Sequence, residues 1–297
     1  MRSTRPLSPK PAKSKLARWA VLPIGAVATV ILAGCTQAQM TGFLPEGSTD
    51  TTNHTQEITA LWVNSWIVLL AVGIVTWGLI IWAAVVYRRR KGQTGLPVQL
   101  RYNLPIEIFY TIVPLILVLG FFAFTARDQA AIEAVDPDPD VQIEVMGKRW
   151  SWDFNYVTDD RYSVGIQAQE GADGFIDTDA LPVLYLPVGE SVEIKLESRD
   201  VIHSFWIIDF LYKKDMIPAR SNYMYFTPLK EGEYEGKCAE LCGEYHSQML
   251  FKVMVVSRAE YDRQMDLLEQ KGQTGQLDST YNVNQNLPGN GTPEGDD

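Results

Sequence analysis

Two apolar runs, Trp66–Tyr87 and Ile106–Ala126, each long enough to cross a bilayer, constrain the first half of this chain. Trp62, Trp66, Trp82 and Tyr87 stand near the ends of the first run, where interfacial aromatics collect. The loop between the runs carries Arg88, Arg89, Arg90, Lys91 and Arg101 and no acid. The preceding segment, Thr36–Ser65, carries Glu46, Asp50 and Glu57 and no Lys or Arg. Positive loops stay in the cytoplasm, so the expectation is a transmembrane hairpin with both flanks outside. Its spans are placed at 61–87 and 106–127, joined by a cytoplasmic loop over 88–105. Glu107 is the one acid at the inner end of the second span, and an ionisable residue at that depth is a candidate for a proton path or simply an interfacial, solvated group. Pro114 is expected to kink the same helix.

A further apolar stretch, Trp19–Ala33, follows the basic residues Arg2, Arg5, Lys10, Lys13, Lys15 and Arg18 and ends in Leu32-Ala33-Gly34-Cys35. That layout reads as a signal peptide over 1–34. Its last four residues resemble a bacterial lipobox, which implies lipidation of Cys35 and an outer N-terminal segment over 35–60. The alternative is an unmodified Cys35 in an uncleaved helix. The expected location is therefore a bacterial plasma membrane. Removal of residues 1–34, with six Lys/Arg and no Asp/Glu, would take the formal charge from −10 to −16. Such acidity repels nucleic acid and attracts basic partners, or merely keeps an outer domain soluble.

Asp136-Pro137-Asp138-Pro139-Asp140 is a stiff acidic linker. Beyond it the pattern changes to period two. Val141–Val145, Lys148–Tyr156, Leu181–Leu186, Ser191–Leu196, Tyr223–Thr227 and Phe251–Val256 read as strands, with turn residues between them. The expectation is an all-β sandwich over 136–257, a helix over 258–270 and a disordered tail over 271–297. Only three cysteines occur, Cys35, Cys238 and Cys242, so no disulfide framework is expected.

The chemistry is concentrated in Cys238-Ala239-Glu240-Leu241-Cys242-Gly243-Glu244-Tyr245-His246-Ser247-Gln248-Met249, with His203 upstream. Thiolate, imidazole and thioether together suit copper. A single blue-copper site needs one Cys, two His and a weak Met, and this chain has a second Cys. Two bridging thiolates can hold two coppers, each with one imidazole, with Met249 and the Glu240 carbonyl as weak ligands. A structural zinc site of Cys238, Cys242, His203 and His246 is the alternative, and it leaves Met249 without a role.

These residues resemble cytochrome c oxidase subunit II of the haem–copper oxidases. The family's Cys-x-Glu-x-Cys-Gly-x-x-His-x-x-Met loop is matched from Cys238 to Met249 at every fixed position. His203, Ser204, Lys213, Asp215, Pro218 and Arg220 resemble its upstream element, and Gly147, Trp150 and Trp152 its aromatic strand. Phe205 and Ala219 depart from the usual Trp and Gly, with Trp206 shifted by one. The resemblance implies a cupredoxin-like domain behind the hairpin. It implies a dinuclear copper centre (CuA) held by His203, Cys238, Glu240, Cys242, His246 and Met249. It further implies a magnesium ion shared through the Glu240 carboxylate with subunit I, electron input from a c-type cytochrome at Trp150, and a proton path starting near Glu107. Oxygen reduction and proton pumping would belong to the partner subunits. No Cys-x-x-Cys-His occurs, so a haem in this chain is not expected. Three rival readings fit the sequence less well. A quinol oxidase subunit lacks the copper ligands, nitrous oxide reductase carries further histidines, and a stand-alone copper carrier has no need of paired spans.

Overall fold

The computed structural model describes residues 36–96, 99–171 and 174–278. The signal segment, Cys35 and residues 279–297 lie outside the described residues. Residues 36–43 belong to a unit separate from the rest of the chain. Within it, α1 (Gln37–Met40) begins in a capping box between Thr36 and Gln39.

The second unit, from Leu44 onward, contains both long helices and the β-domain. Helix α2 spans Thr55–Val86 and α3 spans Leu104–Ile132. Each is long and apolar enough to cross a membrane. Their apolar side chains face outward, with Ile74, Trp77, Val85, Phe109 and Phe122 all exposed, as lipid-facing helices require. Both helices outrun the apolar runs. α2 starts in the polar segment at Thr55, and α3 continues through Arg127 and Asp128 to Ile132, because a helix does not end where the bilayer does. At the start of α3 the Asn103 side chain accepts from the Ile106 amide, and the Glu107 carboxylate accepts from the Asn103 amide at 2.8 Å.

The β-domain is a sandwich of two five-stranded sheets. One sheet has the order β3 (Arg161–Val164), β2 (Ser151–Tyr156), β1 (Val141–Lys148), β5 (Val192–Ser198), β8 (Asn222–Phe226). The other has the order β4 (Val183–Pro187), β10 (Leu250–Val256), β9 (Gly232–Cys238), β6 (His203–Ile207), β7 (Tyr212–Met216). β1 pairs parallel with β5, and β4 parallel with β10; the remaining pairs are antiparallel. Alternate residues such as Val141, Ile143 and Val145 meet Phe205, Phe251 and Val253 in one apolar core. Phe205 stacks on Phe251 in the core, with ring centres 4.7 Å apart.

The run Lys148–Tyr156 is not one strand. Lys148 pairs with Ser151, so Arg149 and Trp150 form a tight turn between β1 and β2. Strands β3, β6 and β7 are too short to show a clear period-two pattern, whereas β9 carries one, its Tyr234, Gly236 and Cys238 alternating with charged residues. Helix α4 (Arg258–Gln270) starts at a Ser257 cap. The expected disorder from Lys271 is corrected over residues 271–278. Asn155 bonds both the amide and the carbonyl of Leu277, at 2.9 and 3.0 Å, and Leu277 is buried. The segment gains these bonds because Asn155 is a buried amide needing partners.

Candidate metal centre

His203 opens β6 and Cys238 closes β9, and the two strands are antiparallel neighbours. The pairing therefore brings an imidazole and a thiol to the same end of one sheet. The chain then leaves the sheet in a loop that returns as β10. The Cys238 amide donates to the Met249 carbonyl at 3.0 Å, which closes this loop at its base. Cys242, His246 and Met249 lie on the loop between these two anchors. Gly243 takes φ +124, a conformation that side chains disfavour, and this allows the loop to fold back.

The donors form a connected series. The two Sγ atoms are 3.9 Å apart. Cys238 Sγ is 3.9 Å from His203 Nδ1 and 3.2 Å from the Glu240 carbonyl. Cys242 Sγ is 3.5 Å from His246 Nδ1 and 3.8 Å from Met249 Sδ. Each sulfur thus has its own imidazole and its own weak donor. The donor atoms of His203, Cys238 and Cys242 lie within 4.8 Å of one another, while His246 joins the group through Cys242. Both cysteines, His203 and Met249 are buried, whereas Glu240 is exposed.

The electrostatics favour a cation. The hydrogen bond shared with Cys242 pulls the Cys238 thiol far below its usual range, with the His203 bond adding to it. The same bond, together with burial, pushes Cys242 up. Burial alone would lower His203, but its bonds to Asp200 and Cys238 outweigh burial and raise it.

Asp200 was not singled out from the sequence. Its Oδ1 accepts from His203 Nε2 at 2.8 Å. A carboxylate can only accept, so Nε2 carries a proton, and Nδ1 is the ring nitrogen that faces the sulfurs and would be offered to a metal. Oδ2 accepts from the Arg149 amide at 2.8 Å. An acid three residues before a histidine is a weak signal for such a bond. Gly147 is the second supporting residue, since a Cβ there would lie 3.1 Å from His203 Cδ2.

Trp150, on the β1–β2 turn, donates from Nε1 to the Cys242 carbonyl at 3.3 Å. It also meets Tyr245 edge-on, with ring centres 4.8 Å apart. It is half-buried, whereas Trp152 lies wholly in the core. Glu107 stands apart from this cluster. It lies in the first turn of α3, and the β-domain follows the other end of that helix, roughly 40 Å away at 1.5 Å per residue.

The family model described as "Cytochrome C oxidase subunit II, periplasmic domain" matches residues 141–256. The chain is 42% identical over 254 residues to "Probable cytochrome c oxidase subunit 2" of Streptomyces avermitilis, covering 76% of this chain and 80% of the relative. It is 32% identical over 286 residues to "Cytochrome c oxidase subunit 2" of Mycobacterium tuberculosis, covering 80% of this chain and 78% of the relative. Among solved structures it is similar to the periplasmic domain of subunit II of cytochrome oxidase (CoxB) of Bradyrhizobium japonicum. That likeness has 28% identity and a TM-score of 0.41, over 46% of this chain and 99% of the other.

Proposed function

The chain belongs to the cytochrome c oxidase subunit II family, and on that premise we propose that it is the electron-accepting subunit of its oxidase. It takes electrons from a c-type cytochrome at a dinuclear copper centre, CuA, and hands them to haem in subunit I, where oxygen is reduced to water and protons are pumped. One observation carries this reading: two buried sulfurs 3.9 Å apart, each with a separate imidazole and a separate weak donor. A mononuclear zinc site would gather four donors about one point, and it would leave Met249 Sδ, 3.8 Å from Cys242 Sγ, without a part.

In this reading Cys238 and Cys242 would hold the copper centre through Sγ, and His203 and His246 through Nδ1. The Glu240 carbonyl and Met249 Sδ are the weak ligands. The thiolate, imidazole and thioether donors suit copper, which would supply one-electron exchange there. The protein keeps that geometry stiff by setting the donors on paired strands and on a loop closed by the Cys238–Met249 bond. Trp150 receives the incoming electron, because its half-exposed ring is hydrogen-bonded to the carbonyl of a bridging cysteine. The exposed Glu240 carboxylate is free to hold a magnesium ion at the subunit I face.

Glu107 is assigned to proton uptake on the inner side. The basic loop supports a cytoplasmic position for that end of the hairpin, with the copper domain and both termini outside. Lipidation at Cys35 would add a lipid anchor in the bacterial plasma membrane.

The test is electron paramagnetic resonance of the purified oxidase. The expected signal is one electron shared equally by two copper nuclei, lost in Cys242→Ser together with oxidase activity. A mononuclear copper signal in the parent protein, or an intact shared signal in Cys242→Ser, would overturn the reading. The purified subunit should also bring with it a large haem-containing partner.

A further inference from the structure

The β-domain is joined to the hairpin by one covalent link, residues 133–140 after α3. A single tether of that length leaves a domain free to rock. The structure supplies a second attachment, made by the residues immediately before α2. Thr51 Oγ1 donates to the Asp209 carbonyl at 2.6 Å, and the Thr51 carbonyl accepts from the Leu229 amide at 2.8 Å. Asn53 pairs with Thr227 through both partners: its amide donates to the Thr227 carbonyl at 3.1 Å, and its Oδ1 accepts from the Thr227 amide at 2.8 Å. His54 Nε2 donates to the Tyr225 carbonyl at 3.0 Å. Thr51, Thr52 and Thr55 are buried beneath these bonds.

The outer end of α3 is fastened to the same side of the domain. Tyr212 donates to Glu133 at 3.0 Å, and Lys214 pairs with the same carboxylate. Lys214 also donates to the Tyr223 carbonyl at 2.8 Å. A carboxylate at a helix C-terminus opposes the helix dipole, so Glu133 stands there against the local preference, held by its cross-domain partners. These contacts lie on β7, on β8 and on the turn at Asp209. That turn is the far end of β6 from His203, about 13 Å along the strand. Rocking about the tethered end therefore displaces the metal end most.

We propose that Thr51, Asn53, His54 and Glu133 are positioning residues: they clamp the β-domain to the outer ends of both helices and so fix the distance from CuA to the haem in subunit I. The inference rests on the CuA reading above. Electron transfer between buried centres falls steeply with distance, so a domain that rocks spends less time in reach.

The experiment uses the assembled oxidase carrying the double substitution Asn53→Leu/His54→Leu, with Asn53→Asp/His54→Gln as the conservative pair that keeps an acceptor and a donor. Rapid photochemical reduction separates transfer into copper from transfer onward to haem. The leucine pair should slow the onward step several-fold, leave the copper signal and the inward step unchanged, and speed hydrogen exchange at the Thr227 amide. The conservative pair should restore the onward rate and the protection. A wild-type onward rate in the leucine pair overturns the proposal. If the leucine pair does not assemble, Thr51→Val and Asn53→Ala are measured in the same way, and wild-type rates in both overturn it. A parent oxidase lacking the shared copper signal would instead defeat the CuA reading, which is a different outcome.

Discussion

Asp200 Oδ1 accepts a 2.8 Å hydrogen bond from Nε2 of His203, and through its other oxygen it holds the backbone amide of Arg149. One carboxylate therefore orients the His203 imidazole toward the sulfurs and also fixes the turn that presents Trp150. Removal of such a supporting partner commonly costs ten- to a hundredfold in metal affinity. Asp200→Ala is expected to weaken copper binding by about tenfold or more, and Asp200→Asn by less, because its amide oxygen can still accept. Copper competition titrations check this. Equal affinity in Asp200→Ala and the parent protein would refute the orienting role.

Trp150 touches the candidate centre through the Cys242 carbonyl and covers Gly243. Trp150→Ala should slow reduction by cytochrome c while copper content stays unchanged. Trp150→Phe keeps a ring but loses the bond to the carbonyl, and should fall between the two. Stopped-flow reduction at several salt concentrations is the measurement. Rates should also fall with added salt, since an acidic chain attracts a basic donor.

Ala219 lies at φ +63 in the turn Ile217–Arg220, which is closed by the Arg220 amide donating to the Ile217 carbonyl at 3.0 Å. Pro218 in second place and a left-handed third place are the pattern of a type II turn, which favours glycine in third place. Ala219→Gly relieves that strain and gives back part of the gain as chain entropy. A net stabilisation of about 0.5–1 kcal/mol is expected, and denaturant midpoints will measure it. A lower midpoint would show that the left-handed turn is not strained in solution.

Burial pushes the Asp209 carboxyl above its usual range, and the nearby Glu235 adds to the shift. A raised carboxyl favours folding below its unfolded pKa near 3.8 and opposes it increasingly as pH rises through the folded value. Asp209→Asn should therefore stabilise the protein at pH 7, by only a few tenths of a kcal/mol because the group is partly solvated. The gain should vanish below about pH 4. Thr51 bonds the Asp209 backbone, so the substitution leaves that contact in place. Melting curves at the two pH values decide it.

Much of the site was legible because its donors are close in sequence. Cys238, Cys242, His246 and Met249 fall within one loop, and spacing alone suggested a cluster. The hairpin was legible for a related reason: lipid demands uninterrupted apolar side chains, and composition records that demand directly. Trp150 was harder. Its period-two spacing with Trp152 suggested a shared strand, yet a turn at Arg149 and Trp150 puts one ring at the surface and the other in the core. Strands β6 and β7 show no clean alternation, whereas β9 does, with Tyr234, Gly236 and Cys238 buried between Glu233, Glu235 and Lys237.

The sequence by itself determined which atoms the candidate site can use, two thiols, two imidazoles and a thioether, on a chain whose first half holds two helices long and apolar enough to cross a membrane. Tertiary structure alone decided how they are arranged. The β6–β9 pairing brought His203 to Cys238, and a carboxylate three residues away fixed which ring nitrogen faces the sulfurs. It also tied Asn53 to Thr227 and Asn155 to Leu277, pairs separated by more than a hundred residues. Such bonds leave no local pattern, because a polar side chain satisfied by a distant backbone group looks, in sequence, like any solvated one.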